Sequence, residues 1–393
     1  MSASASLTRN LIARSRGPLP ASVCDGPGDV YFIGYPGWLF RFFAPRIFHA
    51  VADRVAGVIS DTFVLDHSHM RLWGQPCPLV SLSDVLQRAA KRPLTLVHFF
   101  ETADQFWALA AIESHANVQI VDYLSALDRL GLPHTYVPVS EERQWWAKQS
   151  RAQMERVAAL LSDDRSRRTL SAKCAALASG DRRLLFDVTI GTEHQYFNTL
   201  NAQWSLTPGN QEIFVDVGAA SGDTVEKFAS VVNGQFQAIE AFEPTEVQFA
   251  ELQRLASADP RIRVHQVAVG ETPGSIAFFE NANNPFGSNA ITLGETAEPR
   301  QVRCVRLDDT VERCTLIKMD VEGFECRVLR GADRLIRTSR PDLAITCYHY
   351  PQDMFEILDT VLAIHQYKHV ALRHFGLSLY DTTLFFSDHQ SFA

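Results

Sequence analysis

Residues Ile213 to Thr224 read IFVDVGAASGDT. Ile213, Phe214, Val215 and Val217 are β-branched or aromatic, as suits a strand buried on both faces of a parallel sheet. Gly218 and Gly222 then let the chain turn sharply and come close to a ligand. Beyond them Val225, Phe228, Ala229 and Val232 recur at helical spacing, with Asp223 or Thr224 at the N-cap. Strand, glycine loop and helix in that order make a nucleotide-type site, and Gly218, Ala219 and Gly222 are expected to face the cofactor.

The nucleotide follows from the details of the loop. A dinucleotide fingerprint places a glycine where this chain has Ala220, to admit a pyrophosphate. Asp216 puts a negative charge beside the loop, which repels a pyrophosphate and attracts an ammonium or sulfonium group. That charge favours S-adenosylmethionine over NAD. Glu243 ends the next apolar run, Phe236 to Phe242, about 20 residues beyond Gly222, the spacing of a ribose-binding carboxylate.

Four stretches in this order, VDVGAASGDT, AFEP, RLDD and IKMDVEGFE, resemble the FkbM family of S-adenosylmethionine-dependent methyltransferases. The resemblance spans roughly the last half of the chain, and DVEGFE is its most distinctive part. It implies a class I (Rossmann-like) methyltransferase fold with a mostly parallel seven-stranded sheet. It also implies methyl transfer to a hydroxyl of a sugar, glycan or small metabolite. Members with an added N-terminal Rossmann-like unit resemble this chain's arrangement.

A length of 393 residues exceeds what one hydrophobic core usually serves, so two doubly wound α/β domains are expected. A net charge of −8 argues against nucleic acid or an anionic membrane surface as the main partner. The seven cysteines show no CxxC pair or zinc-ligand spacing and read as reduced thiols, with no metal site among them. No run reaches the roughly 18 apolar residues of a membrane span, and the start lacks a secretory core, so a cytoplasmic location is expected. Composition leaves the oligomeric state open.

Taken in order, residues 1–28 are expected to form a disordered tail and 29–140 a Rossmann-like α/β domain. Its predicted strands are Val30 to Ile33, Val55 to Ser60, Leu94 to Phe99, Val118 to Val121 and Thr135 to Val139. Helices are predicted through Ala52, over Ser83 to Ala90 and over Ala103 to Ser114. In its loop GYPG, Pro36 removes a backbone donor and Tyr35 crowds a phosphate, although Asp61 could stand in for a ribose carboxylate. Packing or partner binding is therefore preferred for this domain over a working NAD or nucleotide-sugar site. The alternative functions are that site, or a cofactor-binding module without activity. Residues 141–210 read as a helical connector, and Tyr196 and Phe197 near its end either cover the cofactor or pack in the core.

From 211 to 393 the methyltransferase domain is expected. Its strands are predicted to end at Glu243, Val269, Asp320 and Cys347, with one helix over Cys326 to Arg337 and a hairpin flanking Asn283 to Asn289. Methyl transfer to a hydroxyl needs alignment and help with the departing proton, and Asp320 and His349 are the candidate bases. Asp320 is also a candidate cofactor contact, since it closes a strand near the switch point. Glu322 is expected on the methionine ammonium or the substrate, Glu325 at a helix start, and Val267 and Ala268 beside the adenine. Asp320, Glu322 and His349 could also hold a divalent metal, but their spacing is not diagnostic, and no metal is assigned.

Overall fold

The computed structural model describes residues 28–60, 70–132, 140–198, 204–279 and 299–392, with positions 36, 73, 74, 103, 104, 107, 108, 110, 111, 113 and 114 left out. The expected tail before residue 28, Pro36, Asp61, the strand at 135–139, the loop 283–289 and parts of the helix 103–114 lie outside the described residues. Contacts divide the chain into two units. One comprises Met1–Trp145, Ala175–Phe186 and Gly376–Ser378; the other comprises Trp146–Cys174, Asp187–Phe375 and Leu379–Ala393.

In the first unit, β1 (Asp29–Ile33), β2 (Val55–Ile59), β3 (Leu79–Val80), β4 (Leu94–His98) and β5 (Val118–Asp122) form a sheet in the order β3-β2-β1-β4-β5. Every pairing is parallel. The order reverses at β1, which makes the unit doubly wound. Helix α1 (Trp38–Ala50) follows β1 and buries Leu39, Phe40, Phe43, Ala44, Ile47 and Phe48. Helix α2 (Leu82–Ala89) starts where Ser81 accepts the Asp84 N–H at 3.1 Å. Helix α3 (Tyr123–Arg129) is capped in the same way by Asp122.

A phosphate in such a unit would sit at the N-terminus of α1. There, Glu101 Oε1 accepts the Leu39 N–H at 2.6 Å, and a Cβ on Gly37 would come within 2.6 Å of the same oxygen. The protein's own carboxylate takes the position of an anion. Behind it, the fully buried Arg182 guanidinium donates to Asp122 Oδ2 at 2.7 Å and to the carbonyls of Phe100 and Leu377, each at 2.7 Å. This network fixes Ala175–Phe186 in the first unit, so the stretch expected as a single connector, 141–210, is divided between the two units.

The second unit begins with part of α4 (Ser140–Leu160), then α5 (Asp164–Ser179) up to Cys174. Its main sheet contains β6 (Thr189–Ile190), β7 (Ile213–Val217), β8 (Ala238–Phe242), β9 (Ile262–His265), β13 (Leu316–Met319), β14 (Asp342–Thr346), β15 (His369–Phe375) and β16 (Thr382–Ser387). Between these in the chain, β10 (Ala268–Val269), β11 (Gly274–Phe278) and β12 (Arg300–Val305) form a separate small sheet. The large sheet runs β9-β8-β7-β13-β14-β16-β15-β6, with β16 antiparallel to both its neighbours. Helices α6 (Asp223–Val231), α7 (Glu246–Ala258), α8 (Glu325–Arg330), α9 (Asp333–Ser339) and α10 (Asp353–Ile364) complete the alternation.

Three expectations are corrected here. The sheet has eight strands, because the two-residue β6 joins the edge beside β15. The run to Val269 breaks after His265, and Ala268 starts a strand of the small sheet paired with Cys304. The single helix expected over 326–337 is two helices: the Gly331 carbonyl accepts the Asp308 N–H at 3.0 Å, and the Asp308 carboxylate accepts the Arg334 and Leu335 N–H groups at the start of α9. The expected hairpin partner at 290–293 lies outside the described residues, and β11 pairs antiparallel with β12.

All five residues of β7 are buried, as a central strand covered on both faces requires. Phe214 on β7 stacks on Phe228 of α6 with centroids 4.6 Å apart, and Phe197 packs edge-on against both. Elsewhere in this unit, the fully buried Arg373 donates to Ser166 Oγ at 2.6 Å and pairs with Asp163 at 3.2 Å, which ties the start of α5 to β15.

Candidate active site

The large sheet reverses its order at β7, so a crevice opens at the carboxyl ends of β7 and β13. The glycine loop leaves β7 there, and the DVEGFE turn leaves β13. The two touch closely: a Cβ added to Gly218 would lie 1.9 Å from the Asp320 carbonyl oxygen. Gly222 is equally hemmed in, with Leu255 Cδ1 2.4 Å from the position of a Cβ. Both glycines have positive φ, at 77° and 96°. The absence of a Cβ at these glycines allows close approach to the protein's own turn and to α7.

Asp216 is wholly buried and faces Lys318, its register partner on β13, at 3.1 Å. Lys318 also donates to the Gly218 carbonyl at 2.7 Å. Burial pushes the Asp216 carboxyl up to about 6, against the pull of Lys318. Burial would lower Lys318, but Asp216 and Asp320 outweigh it and hold the ammonium above its ordinary value. The two shifts reflect unequal company, one cation for Asp216 and several carboxylates for Lys318, and at neutral pH the pair is ionised. Asp216 does not present its charge to a ligand, as its sequence position suggested; Lys318 neutralises it.

Glu243 stands at the end of β8 and is set more favourably. Its Oε2 accepts the Ala220 N–H at 3.0 Å, and its Oε1 accepts the Thr245 N–H at 2.8 Å and the Thr245 hydroxyl at 2.6 Å. Burial raises its carboxyl, opposed by those bonds. Ala220 reaches it by adopting φ 47°, costly for a residue with a Cβ. Ala219 is buried in the core, and its N–H is bonded to the Phe242 carbonyl. Val267 is half-buried in the bend after β9, and Ala268 is buried next to it.

Asp320 follows β13 and is held by three hydroxyls. It accepts the hydroxyls of Tyr196 at 2.9 Å, Thr346 at 3.1 Å and Tyr348 at 3.3 Å. Tyr196 holds φ 67°, and its ring lies 5.4 Å from Lys318 Nζ. Burial and the Asp320 charge both push its phenol well above the ordinary value, so it remains a donor. The aromatic pair is therefore split: Tyr196 belongs to the site and Phe197 to the core.

His349 is fully buried. Its Nδ1 lies 3.1 Å from Glu325 Oε1, and its Nε2 lies 3.5 Å from both Asp320 Oδ1 and Glu322 Oε2. Burial alone would lower its pKa, but Glu325, Glu322 and Asp320 raise it to about 10. These neighbours favour the protonated imidazole when no metal is bound. Glu325 does begin α8, but its side chain is also buried and accepts the Val321 N–H at 3.0 Å, holding the turn in which Glu322 adopts φ 56°.

Sequence reasoning gave no role to Lys318 or Thr346 and missed the inward turn of Glu325. A lysine inside the apolar run Leu316–Met319 was the available signal for the first. The second and third depend on strand register and turn geometry, which carry no local mark.

With the edge strand β6 set aside, the order β9-β8-β7-β13-β14-β16-β15 is doubly wound, with β16 antiparallel and the switch point between β7 and β13. Residues 216–369 match the family model described as the methyltransferase FkbM domain. Among curated proteins none matches the sequence. A methyltransferase FkbM from Methylobacillus flagellatus KT is similar in structure over 98% of this chain and 94% of its own, at 23% identity and a TM-score of 0.68. That similarity establishes a shared fold. Fibrillarin from Aeropyrum pernix, in complex with natively bound S-adenosyl-L-methionine, is similar over 46% of this chain and 69% of its own, at 11% identity and a TM-score of 0.29. An rRNA methylase from Streptococcus thermophilus is similar over 46% and 87%, at 14% and 0.29. Those two likenesses are too slight to carry an argument. Among the described residues no helix is long and apolar enough to cross a membrane.

Proposed function

We propose that the second unit transfers a methyl group from S-adenosylmethionine to a hydroxyl of a sugar, glycan or small metabolite. The observation that carries this reading is the contact between the glycine loop and the Asp320 turn at the switch point, which sets that loop beside a partly exposed carboxylate. Residues present at the loop suit the cofactor: Glu243, fixed by Thr245 and Ala220, would accept the ribose hydroxyls on its remaining lone pairs. When bound, S-adenosylmethionine supplies an electrophilic methyl group on a sulfonium. Val267, with Ala268, would line the adenine side. Asp320 and Glu322, each with about a fifth of its side chain exposed, would face the methionine ammonium and the incoming hydroxyl. The Asp216–Lys318 pair holds the loop in shape.

Glu101 at the N-terminus of α1 counts against a dinucleotide or nucleotide-sugar function in the first unit. Calorimetric titration of the full chain with S-adenosylmethionine, NAD and a nucleotide sugar tests the reading. Only the first should bind, and it should bind about tenfold more weakly to Glu243→Ala, because each charge-assisted bond is worth roughly 1.5 to 3 kcal/mol. Binding of NAD without S-adenosylmethionine would overturn it.

A further inference from the structure

We propose that Asp320, Glu322 and His349 form a site for one divalent cation of the Mn²⁺ or Mg²⁺ type, with Glu325 orienting the imidazole from behind. The spacing is the first argument. His349 Nε2 is 3.5 Å from Asp320 Oδ1 and 3.5 Å from Glu322 Oε2, long for an N–H···O bond. Two donors bound to one ion at about 2.1 Å each stand roughly 3 to 3.5 Å apart. The carboxylate behind the ring is close as well: ligand atoms of Asp320, Glu325 and His349 lie within 4.8 Å of one another, and Glu322 joins this group through its 3.5 Å approach to His349.

The imidazole supplies the second argument. A ligating histidine characteristically gives its other nitrogen to a carboxylate, which fixes the tautomer and the ring plane. Here Nδ1 lies 3.1 Å from Glu325 Oε1, itself buried and anchored by the Val321 N–H. Asp320 has the same kind of support from Tyr196, Thr346 and Tyr348. His349 is wholly buried, while Asp320 and Glu322 keep 22% and 21% side-chain exposure, so the ion's remaining positions face the crevice. Two carboxylates and one imidazole, with no thiolate, favour a harder divalent ion over a copper or cluster site.

On the methyltransferase reading, which this part of the proposal assumes, the cation lowers the pKa of the acceptor hydroxyl. The O–CH₃ bond forms as the S–CH₃ bond breaks, and the hydroxyl proton leaves to solvent.

The test is Mn²⁺ titration of the EDTA-treated full chain, followed by electron paramagnetic resonance, with neither cofactor nor acceptor present. One saturable site per chain is expected, with nitrogen modulation from an imidazole in the pulsed spectrum. Glu322→Gln, at a partly exposed position that should tolerate the change, should weaken binding by about tenfold or more. His349→Gln, if it folds, should abolish the modulation. Absence of saturable binding up to millimolar Mn²⁺ overturns the proposal, as does binding without nitrogen modulation or binding that Glu322→Gln leaves unchanged. None of these outcomes bears on cofactor binding, so failure here and failure of the methyltransferase reading are separable.

Discussion

At the scale of single residues, the Asp216–Lys318 pair shows how a buried charge is set by its neighbours. Neither side chain reaches water, and each is tolerable only because the other is present. Lys318→Met should therefore strand the Asp216 carboxylate and cost about 3 to 5 kcal/mol of stability, read from urea unfolding. Lys318→Met combined with Asp216→Asn should recover most of that loss. If the double variant is as unstable as the single one, the damage lies in packing and the charge argument fails. Asp216 was visible in the sequence as a carboxylate beside a glycine loop; its partner was not, because the pairing runs between strands about 100 residues apart.

At the scale of elements, the two loop glycines make a graded prediction. A methyl at Gly218 meets the Asp320 carbonyl, which is backbone, whereas one at Gly222 meets the ends of Leu252 and Leu255. Leucine side chains can turn aside; a strand end cannot. Gly218→Ala should cost about 3 kcal/mol or more and Gly222→Ala clearly less, both by denaturant unfolding. Equal losses would mean that the positive φ shared by both, and not the crowding, sets the cost. The break between α8 and α9 has a different origin: helical periodicity in the sequence continues through Gly331, but the Gly331 carbonyl accepts the Asp308 N–H, and the Asp308 carboxylate accepts the Arg334 and Leu335 N–H groups.

At the scale of the whole molecule, the two units should respond to pH in opposite directions. In the first, burial holds His98 down to about 4 from the ordinary 6.5, so the unfolded chain takes up a proton that the folded unit refuses. The stability at stake is fully present above about pH 6.5 and is lost as pH falls toward 4. In the metal-free second unit, Glu325, Glu322 and Asp320 overcome burial and raise His349 to about 10, so its contribution is fully present below 6.5 and is lost as pH rises toward 10. Denaturant unfolding at pH 5, 7.5 and 9.5 should show both losses. His98→Gln should blunt the acid one and His349→Gln the alkaline one; unchanged slopes in these variants would refute the assignments.

Local physical chemistry made much of this protein legible in its sequence. Apolar strands, positive-φ glycines and carboxylates at strand ends marked the second unit's sheet, its loop and the positions of Glu243 and Asp320, because each of these depends on a residue and its near neighbours. The tertiary structure alone decided what those groups are worth. It turned Asp216 toward Lys318, buried His349 among Glu325, Glu322 and Asp320, and brought Tyr196 from a distant segment onto Asp320. It also divided the expected connector between two units. Burial and charge pairing are properties of which strands and turns lie side by side, and no window of sequence contains both partners.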